Sequence, residues 1–408
     1  MLPDADAVVI GAGAFGASTA YHLARRGKRV ALVERFAIAS QTSPRAAGLT
    51  QQIRTDPVMT KLAMRSVQKI VRFGEDTGEA LAFQQSGSLK LARTPEYASQ
   101  IHQEVERGGQ VGLDIRAVSG DEAHRLAPFL DPEAALAIWY TASDLYLEPR
   151  DLPLAYARAS AAAGAEVIAN TAVTAIGTRC GAVDRVVTDR GEIRTPIVVD
   201  TAGAWTRIVA EMTGIRVPIV PTRHQLYITK PLAGVVAEQP IVRVLDVNVY
   251  VRPARGGLML GGYEPDPVQV DMSTLPADFQ IGDLALDFEP LRRLTEDVRH
   301  EFPGLSGAEI DEFRGGLPTM TADGRHIVDR VPRVEGFFVA SGCCVGGLSI
   351  SPAIGEVLAD WVVDGAPPMD LSSLSLSRFG PELESDQRLR AACLWRYAHH
   401  YSDEQRSR

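Results

Sequence analysis

Three glycines near the start of the chain, Gly11, Gly13 and Gly16, constrain the fold more than any other feature. A short apolar run, Ala7 to Ile10, precedes them and reads as a buried parallel strand. Good helix formers follow from Ala17 to Arg26, and Gly27 stands where a helix-ending glycine belongs. Arg29 to Val33 reads as a second strand, closed by Glu34. The order is β-α-β, and each glycine has a mechanical task in it. Gly11 makes the tight turn, Gly13 lets backbone approach a pyrophosphate, and Gly16 lets the helix pack closely. The helix N-terminus then offers free N–H groups and a positive dipole end to phosphates. Glu34, 18 residues after Gly16, is placed to accept hydrogen bonds from ribose hydroxyls, which disfavours a 2′-phosphate and hence NADP. The fingerprint predicts a dinucleotide site and leaves FAD and NAD both open.

With 408 residues the chain has room for two domains with sizeable cores. Its net charge of -9 argues against nucleic acid as a partner. The four cysteines, Cys180, Cys343, Cys344 and Cys393, match no zinc spacing, and no metal site is expected. An adjacent pair is a poor disulfide candidate, so a reducing, cytoplasmic setting is expected. The first residues show no signal-peptide pattern, and no apolar run is long enough to span a bilayer.

Further along, 57–80 reads as helical, 80–150 as short strands mixed with polar helices, and Asp151 to Ala163 as an alanine-rich helix. Strand-like segments follow at 166–176, 182–189 and 192–200. Alternating patterns occupy 218–315, as at Gln225–Thr229, Val247–Arg252 and Leu258–Gly262. Residues 336–341 read as a buried strand, Pro352 to Val363 as a helix, and the polar tail 376–408 as helical and on the outside.

Several separated segments carry a family likeness. They are VVIGAGAFGASTAYHLARRGKRVALVER at 8–35, SPRAAGLTQQIR at 43–54, VVDTAGAWT at 198–206, PTRHQLYITKP at 221–231, VYVRPARGGLMLGGYEPDP at 249–267, GLPTMTADG at 316–324 and ASGCCVGGLSISPAIGEVLADW at 340–361. In this order they resemble the D-amino-acid oxidase superfamily of flavoproteins, on the sarcosine oxidase and dimethylglycine dehydrogenase branch. The resemblance implies an α/β fold: a Rossmann-type FAD domain from 1–83, 150–218 and 314–375, interleaved with a substrate domain on a large mixed β-sheet from 84–149 and 219–313. It implies FAD held by Gly11, Gly13, Ala14, Phe15, Gly16, Glu34 and Arg35, by Ser43, Arg45, Ala46, Ala47, Gly48 and Leu49, and by Val173, Ala202, Gly203 and Trp205. Gly346, Gly347, Leu348 and Ser349 complete that set, where a helix N-terminus would stabilise the anion of reduced flavin.

Departures from the family bear on mechanism. The cysteine that tethers flavin in sarcosine oxidases corresponds to Gly316 here, and the tethering histidine of dimethylglycine dehydrogenases to Arg45, so FAD is expected to be non-covalent. The lysine that promotes oxygen reactivity corresponds to Met259, which leans the expectation towards a separate electron acceptor over O2. Arg54 matches an arginine that binds the substrate carboxylate. The second carboxylate-binding cation of that branch is lost at Ser349, and the glycine-oxidase arginine at Pro318. His224 and Tyr250 resemble the pair shaping a dimethylglycine oxidase pocket, with His224 expected to titrate near neutral pH. Tyr250 alternates with Asn248 and Arg252 on one strand face, so these three are expected to line the pocket, with Arg252 a second candidate anchor. The expected reaction is hydride transfer from a small amine or amino acid to flavin N5, giving an imine that hydrolyses. The rivals are a 2-hydroxy-acid dehydrogenase, with His224 as base, and a non-catalytic FAD-carrying subunit of a hetero-oligomer.

Overall fold

The computed structural model describes residues 3–402. Its first sheet has six strands in the spatial order Ile327–Arg330, Phe337–Ser341, Val198–Asp200, Ala7–Ile10, Val30–Val33 and Glu166–Ile168. All neighbours are parallel except the first pair. The central strands are short apolar runs, as a sheet covered on both faces requires. The helices Ala14–Arg25 and Gly347–Asp364 cover one face, burying Leu23, Ile350, Ile354 and Leu358. A three-stranded sheet, Val173–Arg179, Ala182–Thr188 and Gly191–Arg194, covers the other.

The predicted β-α-β unit is present: Ala7–Ile10, Ala14–Arg25 and Val30–Val33. Gly11 takes a φ of 95° at the turn, and a Cβ at Gly16 would collide with the Gly11 carbonyl. The expected strands at 166–176 and 192–200 are each divided. Glu166–Ile168 joins the parallel sheet while Val173–Arg179 opens the three-stranded one, and Thr195-Pro196 separates Gly191–Arg194 from Val198–Asp200.

The second sheet is mixed, with eight strands in the order Ile310–Gly316, His224–Thr229, Gly257–Gly262, Val249–Ala254, Ile241–Val244, Ser88–Ala92, Ala137–Thr141 and Ile115–Ala117. One pair, Ile241–Val244 with Ser88–Ala92, is parallel and the others are antiparallel. Its side chains sort by the period of two. Val242, Val244, Val249, Val251, Leu258 and Leu260 pack with Leu291 and Leu294 of the helix Phe288–Asp297. Arg243, Tyr250, Arg252 and Met259 alternate with them and take the opposite face, also buried. These strands are therefore covered on both sides.

Two expectations are corrected. The helix foreseen from Pro352 begins five residues earlier, at Gly347. Pro352 lacks the N–H that would bond the Leu348 carbonyl, and the Ser351 hydroxyl donates to that carbonyl instead, at 2.9 Å. The tail does contain a helix, Asp386–Ala398, but not one lying outside: Leu389, Cys393 and Tyr397 are fully buried. Asp386 is held by Arg207 and Arg216 at 2.9 and 2.6 Å. Residues 403–408 of the expected tail lie outside the described residues.

Candidate active site

Two adjoining cavities open at the ends of the parallel strands, and the wider one reaches the mixed sheet. The narrower one follows the glycine turn. It is lined by Gly11, Glu34, Arg35, Val173, Ala202 and Trp205, all expected to hold the cofactor. Glu34 closes its floor: its carboxylate accepts from the Ala12 N–H at 2.8 Å and the Phe36 N–H at 2.9 Å. Burial raises the Glu34 pKa, and those N–H bonds oppose the rise. Gly13, Thr42, Ser43, Thr201 and Gly203 line both cavities, so the two are continuous. The nearest neighbour a Cβ on Gly13 would meet is Ser43 Oγ at 3.2 Å, and that residue's backbone faces the passage. An elongated, glycine-floored channel of this kind can take a dinucleotide with its pyrophosphate at the start of the helix Ala14–Arg25.

The wider cavity gathers the remaining expected cofactor residues: Ala14, Phe15, Arg45 to Leu49, and Gly346 to Ser349. Gly16 lines neither; it acts beneath the turn. Gly346 caps the helix Gly347–Asp364, whose first turn carries no acidic residue, so its positive end points into this cavity. The approach is strained, with Cys344 and Val345 at φ of 43° and 66°, a conformation that costs non-glycine residues about 1–2 kcal/mol each. All four cysteines are free.

Of the expected substrate residues, the structure brings Arg54, His224 and Tyr250 into the wider cavity. Arg54 lies just before the helix Pro57–Val71. Asp56 fixes that entry by accepting from the Val58 and Met59 N–H groups. Its Nε is buried with no partner among the described residues. Burial, and the neighbouring Arg243, lower its pKa.

Three expectations for this site are corrected. His224 does not titrate near neutral pH: burial pushes it down to about 3, and both ring nitrogens are engaged by tyrosine hydroxyls. Asn248 does not line the cavity. It sits at φ 55° and clasps the tail, with Nδ2 donating to the Ala398 carbonyl at 3.0 Å and Oδ1 accepting from the Tyr401 N–H at 3.2 Å. Arg252 also lies behind the wall. Its Nε donates to the Ala47 carbonyl and its Nη1 to the Pro253 carbonyl, and it stacks over Tyr146 at 4.6 Å. These bonds hold the Ala47 segment, and the Nη2 of Arg252 is buried without a partner among the described residues, outside the wider cavity's lining. Met259 packs behind Ala47 with Leu226 and Ile228 and lines neither cavity.

Sequence reasoning missed Arg243, Tyr263, His400 and Tyr401, which complete the wider cavity. Arg243 donates from Nη2 to the Thr50 carbonyl at 2.7 Å and leaves Nη1 without a partner among the described residues. His400 stacks on Tyr263, with centroids 3.8 Å apart and planes 8° off parallel. Gly261 makes room for Tyr250, since a methyl there would collide with the Tyr250 ring and hydroxyl. A signal for Arg243 does exist: it is one charge inside the apolar run Ile241-Val242-Arg243-Val244-Leu245. The charge balance is one-sided. Arg45, Arg54 and Arg243 line the wider cavity and no Asp or Glu does, although Arg54 also borders a neighbouring cavity with Asp56, Glu104 and Asp323. Arg54 and Arg243 each keep one buried guanidinium nitrogen without a partner among the described residues, a balance that suits an anion in the wider cavity.

Known proteins resemble the chain along most of its length. The family described as DAO, FAD dependent oxidoreductase, matches residues 6–361. The chain is 31% identical over 98% of its length to mitochondrial sarcosine dehydrogenase of Mus musculus. It is 30% identical over 94% of its length to the formaldehyde-forming 4-methylaminobutanoate oxidase of Paenarthrobacter nicotinovorans. It spans 44% and 47% of these two relatives, less than half of each. Among solved structures, L-proline dehydrogenase from P. horikoshii superposes with a TM-score of 0.83 and 26% identity, covering 93% of this chain and 98% of that one.

Proposed function

We propose, from the premise that this chain belongs to the DAO family of FAD dependent oxidoreductases, that it oxidises a small carboxylate-bearing amine, secondary, tertiary or cyclic. The observation that carries the substrate class is the pair of buried, unpartnered guanidinium nitrogens on Arg54 and Arg243 in a cavity without carboxylates. The family's cofactor is FAD, and when bound it supplies the hydride acceptor. In this reading the narrower cavity takes the adenosine end, Glu34 faces the ribose, and the start of the helix Gly347–Asp364 faces the flavin ring. Non-covalent binding is part of the proposal, with Gly316 and Arg45 at the family's tether positions. The FAD-binding part is assigned to 1–83, 150–218 and 314–375, and the substrate part to 84–149 and 219–313.

The protein's own residues then do three things. Arg54 and Arg243 orient the substrate by its carboxylate, the aromatic wall of Tyr250, Tyr263 and Tyr401 excludes water, and the positive cavity favours the neutral amine over the ammonium. Loss of a hydride from the carbon beside nitrogen to that acceptor, and of the N–H proton where there is one, would leave an imine, or an iminium from a tertiary amine, which water hydrolyses. The 2-hydroxy-acid alternative needs a base for the hydroxyl proton, and a histidine held at about 3 is a poor one, which favours the amine. A separate electron carrier, free or on a partner subunit, is proposed as acceptor because an uncharged Met259 stands at the lysine position. Free cysteines suit a cytoplasmic setting. Among the described residues no helix is long and apolar enough to cross a membrane.

The test is an anaerobic screen of N-methyl and cyclic amino acids, their amides, and 2-hydroxy acids, read as loss of visible flavin absorbance. Bleaching by an N-alkyl amino acid and not by its amide is expected. Bleaching by hydroxy acids alone would overturn the proposal.

A further inference from the structure

His224 lies between two phenols, with Nδ1 2.7 Å from Tyr397 Oη and Nε2 2.9 Å from Tyr250 Oη. The three come from distant places: the strand His224–Thr229, the strand Val249–Ala254 and the helix Asp386–Ala398. The imidazole is buried, has no ion pair among the described residues, and shares its cavity with Arg54 and Arg243. It is therefore neutral, with one N–H and one lone pair to share between two hydroxyls.

The hydrogen count decides the arrangement. Tyr397 is fully buried, and its hydroxyl has no hydrogen-bond partner but His224 among the described residues. If Nδ1 carried the hydrogen, Tyr397 would accept it and its own O–H would be buried without an acceptor, at a cost of about 1–3 kcal/mol. In the other tautomer Tyr397 donates to Nδ1, and Nε2–H donates to Tyr250 Oη. The hydrogen of Tyr250 is then free. That residue lines the same cavity as Arg54 and Arg243, so its O–H is available to a group held there.

We infer that Tyr397 is a positioning residue for the substrate site: by donating to His224 Nδ1 it fixes the imidazole tautomer, and so makes Tyr250 a hydrogen-bond donor to the substrate carboxylate. The carboxylate part rests on the proposed function. The opposite tautomer would turn Tyr250 into an acceptor, suited to a substrate ammonium. The tail thus sets the polarity of a group it reaches only through His224.

The experiment uses the holoenzyme labelled with 15N-histidine. Long-range 1H–15N spectra of the wild type should show His224 with a protonated Nε2 and a bare Nδ1. Tyr397→Phe should abolish that single pattern, because no hydroxyl remains to choose. Acetate, titrated by its perturbation of the flavin spectrum, should bind about tenfold more weakly to Tyr250→Phe and about twofold more weakly to Tyr397→Phe, whose imidazole is free to take either tautomer, and the double variant should bind no worse than Tyr250→Phe alone. A protonated Nδ1 in the wild type overturns the inference and needs no variant to fold. So does a loss from Tyr397→Phe that persists in the Tyr250→Phe background. Acetate that fails to bind the wild type while Nε2 carries the hydrogen sinks the carboxylate reading and supports the tautomer assignment.

Discussion

At the scale of single residues, the site turns on charges that the protein leaves unmatched. Arg243 is 2% exposed and has one guanidinium nitrogen without a partner among the described residues. Arg243→Gln keeps bulk and removes the charge. Substrate binding is expected to weaken tenfold to a hundredfold, the ~1.5–3 kcal/mol of a charge-assisted bond, with FAD content retained. Steady-state kinetics beside the visible-to-ultraviolet absorbance ratio would show it, and an unchanged KM would remove Arg243 from the site. A second residue-scale prediction concerns oxygen. With Met259 uncharged and sealed behind Ala47, reduced enzyme should react slowly with O2 and quickly with a quinone or phenazine dye. Rapid peroxide formation in stopped-flow mixing with aerated buffer would restore a plain oxidase. The glycine fingerprint and Glu34 were legible because their chemistry is local: a turn, a helix start and an acid within one β-α-β unit. Arg243 and Tyr263 were not, because alternation along a strand marks a buried polar face without saying which distant side chains share it.

At the scale of elements, the tail helix shows why part of the site stayed hidden. Leu389, Cys393, Tyr397 and Tyr401 recur every four residues, a stripe that marks one buried face but not what it is buried against. The rest of the helix is polar, which reads as exterior. Asn248 joins the end of this helix to the mixed sheet by two hydrogen bonds. Asn248→Ala removes both and places alanine in a left-handed conformation, so the tail should open more easily by about 1–3 kcal/mol. Hydrogen exchange should quicken over 386–402 and stay unchanged in the parallel sheet; uniform quickening would contradict a local role. The helix Ala14–Arg25 offers a counterpart. Gly16→Ala should push it off the turn and cost about 1–3 kcal/mol, seen as a lower melting temperature and a paler, FAD-poor protein.

At the scale of the whole molecule, buried histidines tie stability to pH. Burial holds His22, His224 and His326 at about 3, while each titrates near 6.5 when unfolded. A folded pKa below the unfolded one means that the unfolded chain binds more protons as pH falls. The three therefore cost nothing above about pH 6.5, and each removes about 1.4 kcal/mol per unit below it until about 3. Denaturant melts at pH 7.5 and 5.5 should differ accordingly. Neither ring nitrogen of His326 has a partner among the described residues, so His326→Leu should raise stability, and more at pH 5.5 than at 7.5. A pH-independent gain would deny the titration its part.

The strand order carries a consequence for the ribosome. Ala7–Ile10 lies beside Val198–Asp200, which in turn lies beside Phe337–Ser341. One side of that first strand pairs early with Val30–Val33, but the other must wait for a neighbour nearly two hundred residues away, and that neighbour for another well over a hundred later. An apolar strand edge thus emerges early and stays unmatched through about half of synthesis, in reach of chaperones and of other nascent chains. The two joined cavities, lined between them by Ile10, Thr201 and Ser341, can close only after the last of these has left the exit tunnel. A nascent chain stalled before residue 337 should bind no flavin.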